Sequence, residues 1–90
     1  MRVVVSSVGE PLNQQILSYA EYRIFSALAT HDDVVGAQVS LRNTKDEVHC
    51  KVHVTLSSSG DVEASTSGSY AAAAIDQAAE RLASLIGRAA

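Results

Sequence analysis

The chain has 90 residues, 47% apolar but only 4% aromatic, and its seven Lys and Arg against ten Asp and Glu give a net charge of −3. A domain of this length buries about 60 to 65% of its unfolded surface, too little for a large enclosed active site, and the acidic balance excludes adhesion to nucleic acid through bulk positive charge. With no apolar run near the roughly 20 residues of a bilayer span, no signal-peptide pattern and one cysteine, Cys50, the chain reads as a single cytoplasmic domain over 1–90 without a disulfide or a multi-cysteine metal site.

Arg2 to Ser6 is a β-branched run broken by Gly9-Glu10-Pro11, which predicts a first strand of about five residues. The period then changes. Ile16, Tyr19, Ala20, Ile24, Ala27 and Leu28 share one helical face, while Gln14, Glu21, Arg23 and Ser26 take the other. Asn13 is the expected N-cap, with Leu12 and Leu17 placed as a hydrophobic staple and Pro11 as a rival start. His31-Asp32-Asp33 closes this helix.

Val35, Ala37, Val39 and Leu41 alternate with polar residues, as a half-buried strand does. After a polar turn at Asn43 to Glu47, Val48, Cys50, Val52, Val54 and Leu56 form the longest clean alternation in the chain, the mark of a central strand. Ser57 to Asp61 reads as a hairpin connection, and Val62, Ala64 and Thr66 as a shorter fourth strand. Finally, Tyr70 to Arg88 carries the strongest helical stripe: Ala74, Ile75, Ala78, Ala79, Leu82, Leu85 and Ile86. Ser67 or Ser69 can cap its start, and Gly87 can supply the left-handed residue at its end.

This order predicts an α+β fold, a β-α-β-β-β-α two-layer sandwich. The first two strands are parallel through a right-handed crossover, the later ones form an antiparallel meander, and both helices cover one face of the four-stranded mixed sheet. The other face, with Gln38, Ser40, Arg42, His49, Lys51, His53, Thr55, Glu63 and Ser65, meets water or a partner.

Few residues invite chemistry. His49 and His53 share a strand face but lie about 13 Å apart, and Cys50 points the other way, so the trio is a poor metal site and Cys50 reads as a small core residue. The acidic pairs Asp32-Asp33, Asp46-Glu47 and Asp76 with Glu80 read as solvated surface, and no glycine-rich phosphate loop is present. The pattern is that of a non-enzyme with no cofactor, metal or small-molecule substrate. What remains is basic: Arg42, Lys45, His49, Lys51 and His53 on adjoining strands and their turn, with Arg23, Arg81 and Arg88 on the helices. Such positions can contact RNA or can simply solubilise the domain and guard strand edges.

Leu12-Asn13 leading into Ile16-Leu17-Ser18-Tyr19-Ala20, then Val35 to Leu41, Val48-His49-Cys50-Lys51-Val52, and above all Ala73-Ala74-Ile75-Asp76-Gln77-Ala78-Ala79-Glu80-Arg81-Leu82 resemble the ribosome hibernation-promoting factor family, which includes the inhibitor also called protein Y. The resemblance spans nearly the whole chain. It implies a short, single-domain member that binds the small ribosomal subunit through ribosomal RNA and silences translation under stress. With the exposed basic positions, the family's footprint points to Arg23, Lys45, His49, Lys51, His53, Arg81 and Arg88 as RNA contacts. The net charge and the serines of the fourth strand favour a competing reading, a protein-interaction or regulatory domain that keeps the fold without the RNA surface. Either way the expected state is a monomer or a weak homodimer.

Overall fold

The strand alternation and the two helical stripes build one sheet with one helical layer. In the computed structural model the elements run β1 (Arg2–Gly9), α1 (Gln14–Leu28), β2 (Val34–Asn43), β3 (Val48–Leu56), β4 (Asp61–Gly68) and α2 (Ala71–Ala89). The structure describes residues 1–57 and 60–89, with side chains up to Ile86, so Ser58 and Ser59 of the expected hairpin connection lie outside the described residues. The sheet order is β1-β2-β3-β4, with β1 parallel to β2 and the other neighbours antiparallel. This is the predicted α+β sandwich.

Burial follows the pattern that produced the prediction. Val39, Leu41, Cys50, Val52, Val54 and Ala64 turn inward from the sheet, and Ala20, Ile24 and Leu28 from α1 meet Ala74, Ile75, Ala78, Leu82 and Ile86 from α2 above them. No aromatic ring is among the buried core residues. The layer is therefore thin, which lets alanine-rich α2 lie close to β3 and β4 while α1 covers β1 and β2.

Several boundaries differ from the sequence expectation. β1 runs on to Gly9 because Ser7, Val8 and Gly9 keep parallel register with Leu41, Arg42 and Asn43. Gly9 then turns the chain at φ +93°, where a Cβ would sit 2.3 Å from the Asn43 carbonyl oxygen. Asn13 caps α1 as expected, its side-chain oxygen accepting from the Ile16 amide at 2.9 Å. Before α2 the boundary position is taken by Tyr70 rather than by Ser67 or Ser69, and the helix continues through Gly87 instead of stopping there.

In β2 a register shift between Val34 and Gly36 inserts one extra residue opposite β3. Val34 is buried and Val35, assigned from its alternation to the inward row, is 55% exposed. Beyond the bulge the expected alternation holds.

Candidate nucleic-acid interface

The open sheet face is set by register. Directly opposite residues form four rows across the strands: Val8, Arg42, His49 and Ser67; Ser6, Ser40, Lys51 and Ser65; Val4, Gln38, His53 and Glu63; Arg2, Gly36, Thr55 and Asp61. The first two rows place Arg42 beside His49 and diagonal to Lys51, around a shallow depression of about 430 Å³. The last two bring in Glu63 and Asp61. The strand-borne carboxylates therefore gather at the end away from the β2–β3 turn, where Arg2 also lies, while Arg42 and Lys51 stand nearer the turn, whose own Asp46 and Glu47 offset part of their charge.

At the turn end Thr44 closes the connection, its amide and hydroxyl donating to the Glu47 carbonyl at 3.0 and 2.9 Å. Lys45 is an exposed residue of that turn. His49 Nε2 lies 3.0 Å from Glu47 Oε1, while among the described residues Arg42 and Lys45 form no ion pair. Lys51 Nζ is 3.7 Å from Glu63 Oε2, a loose and solvated contact that offsets only part of its charge.

His53 stands among the strand-borne carboxylates. Its Nε2 is 2.7 Å from Asp61 Oδ2 and its Nδ1 is 3.4 Å from Glu63 Oε2, so one carboxylate flanks each ring nitrogen. Only the imidazolium can donate in both directions. The hydrogen bond to Asp61, and next the one to Glu63, accordingly hold its pKa above the ordinary histidine value.

The helix-borne basic residues belong to the opposite layer. Arg23 Nε lies 3.3 Å from Asp76 Oδ1, and the Tyr19 hydroxyl donates to the same oxygen, which ties α1 to α2. The bond to Asp76, followed by burial, raises the Tyr19 pKa above that of a free phenol. Asp76, read from the sequence as solvated surface with Glu80, instead joins the two helices. Arg81 Nη1 donates to the Ser65 carbonyl at 3.1 Å across the top of β4, and the side chain of Arg88 lies outside those described.

The structure therefore brings together His49, Lys51 and His53 on the open sheet face, with Lys45 in the adjoining turn, and sets Arg23 and Arg81 apart from them. It adds Arg42, whose place opposite His49 was signalled by the strand alternation but depends on register. Cys50 is 1% exposed, and burial pushes its thiol pKa up to about 11, so the thiol stays protonated and a poor nucleophile. Among the described residues no group of three His, Cys, Asp or Glu side chains could hold a metal ion, and no helix is long and apolar enough to cross a membrane.

No curated protein matches the chain significantly. Among solved structures, the Protein Y N-terminal domain of Thermus thermophilus is similar at a TM-score of 0.79 and 22% identity, covering 97% of this chain and 93% of that one. A ribosomal subunit interface protein from Coxiella burnetii superposes at a TM-score of 0.86 and 11% identity, covering 98% of this chain and 96% of that one. These likenesses establish a shared fold. The model of the family described as Sigma 54 modulation protein / S30EA ribosomal protein matches residues 3–90, and the chain belongs to that family.

Proposed function

We propose that the protein is a non-enzymatic, cytoplasmic translation-silencing factor that binds the small ribosomal subunit through ribosomal RNA. Membership of a family described by a ribosomal protein supports this reading, as does the fold shared with a ribosomal subunit interface protein. The observation that carries it to a surface is the cluster of Arg42, His49 and Lys51 beside Lys45, a local positive patch on an acidic domain. Phosphate contacts need such local charge, whatever the net value. In this reading Lys45, His49 and Lys51, joined by Arg42, make the main contacts and His53 adds to them, while Arg23, Arg81 and Arg88, also named as contacts from the sequence, belong to the helices of the other layer.

Co-sedimentation with isolated small subunits at low and moderate salt tests the proposal. Binding at low salt that weakens as salt rises is the expected result; absence of binding even at low salt refutes it. A second reading, a protein-interaction domain, is favoured by the acidic partners already set against His49, Lys51, His53 and Arg23. Ribosome binding insensitive to salt would support that alternative.

A further inference from the structure

The two edges of the sheet are unlike. β4 carries Asp61 and Glu63, charges of the kind that keep an edge from pairing. β1 has no such guard: it is eight residues long, holds unbroken register with β2, and contains neither proline nor any charged residue from Val3 to Gly9. On its open-face side Val4 and Val8 are 45% and 60% exposed. Phe25, 46% exposed, belongs to the same border. Tyr19 and Arg23 mark the flank of α1 that meets α2, and Ala20, Ile24 and Leu28 mark its sheet side, so helical spacing sends Phe25 from the flank that overhangs β1.

We propose that β1 is the interface of a two-fold symmetric homodimer, pairing antiparallel with β1 of a second copy so that Ser6 faces Ser6, Val4 faces Val8 and Arg2 faces Glu10. Opposite residues of an antiparallel pair point to the same face in any register centred on a residue, and the one centred on Ser6 sets the exposed Val4 against Val8 and Arg2 against Glu10, the first residue past β1. Two-fold symmetry makes each of the unlike pairs occur twice. Charge complementarity selects the occupant: both Arg2 and Glu10 are exposed and, among the described residues, free of ion pairs. Glu10 follows the turn at Gly9, and its backbone is fixed beside the end of β2 by its amide, which donates to the Asn43 carbonyl at 3.0 Å, and by the Asn43 side chain, which donates to the Glu10 carbonyl at 3.2 Å. The turn end of the open face at Arg42, Lys45 and Lys51 is formed by other strands and stays uncovered, so the dimer does not depend on the ribosomal reading.

Sedimentation equilibrium from micromolar to millimolar protein tests the association. The average mass is expected to rise toward twice the 9.5 kDa of one chain. Arg2→Glu or Glu10→Arg alone should weaken the dimer by roughly tenfold, since each sets two like-charged pairs face to face, and the double exchange should restore it. Mild oxidation of Ser6→Cys should give a covalent dimer while Val4→Cys should not, because only position 6 meets its own copy within disulfide reach. Buried Cys50 does not compete. A monomer at millimolar concentration, failure of the double exchange to restore pairing, or cross-linking through position 4 in preference to position 6 would each overturn the proposal.

Discussion

Replacing Arg42 by alanine probes the proposed interface where its charge is least compensated. Three cations, Arg42, Lys45 and Lys51, stand at the turn end of the open face, and the first two form no ion pair among the described residues. If each meets one phosphate, log Kobs should fall with log salt at a slope of about −2.1 to −2.7, so that raising salt from about 50 to 200 mM weakens binding roughly 20- to 40-fold. Arg42→Ala should make that slope shallower by about 0.7 to 0.9, the share of one phosphate contact. Lys51→Ala should do less because Glu63 already offsets part of its charge, and Arg23→Ala least because Asp76 holds the guanidinium. Arg42 is exposed, so unfolding is not the cause, and stability should stay within about 0.5 kcal/mol of wild type. Small-subunit binding at four or more salt concentrations supplies the slopes. Equal slopes for wild type and Arg42→Ala refute the placement of the interface.

Leu82 is fully buried between α2 and the sheet, and Leu82→Ala should cost about 2 to 5 kcal/mol, a fall in Tm on the order of 10 to 25 °C; urea melts should show a lower midpoint at unchanged slope. Gly9→Ala meets both a positive φ and the Asn43 carbonyl, and a loss of about 2 to 4 kcal/mol is expected in the same melts. The raised pKa of His53 means that the folded state binds its proton more tightly than the unfolded chain does. Its stabilising contribution is complete below the ordinary histidine pKa of about 6.5 and is lost as pH rises through the higher folded value. Thermal melts across this range should show a decline that His53→Gln or Asp61→Asn reduces; identical pH profiles for wild type and His53→Gln would contradict the two-carboxylate arrangement.

The architecture was legible because it rests on periodicity, and periodicity is local. Alternation from Val48 to Leu56 and the stripe from Ala74 to Ile86 each state which side chains must leave water, and a four-stranded sheet under two helices is the simple way to satisfy both. Where the local pattern failed, a neighbouring strand had intervened. Val35 faces out because β2 bulges against β3, and β1 outlasts its apolar run because β2 goes on offering hydrogen-bond partners as far as Asn43.

Charge was less legible than fold for the same reason. The sequence by itself determined which residues are basic, which strand face they occupy, and that α2 must pack on the sheet. Tertiary structure decided what each charge meets: Asp76 serves Tyr19 and Arg23 across the helix layer, Asp61 and Glu63 enclose His53, and Arg42 stands beside His49 and, among the described residues, forms no ion pair. Hydrophobic burial depends on a residue's own polarity and period, whereas the interaction of a charge depends on distances to groups far along the chain, which only strand register and helix docking set.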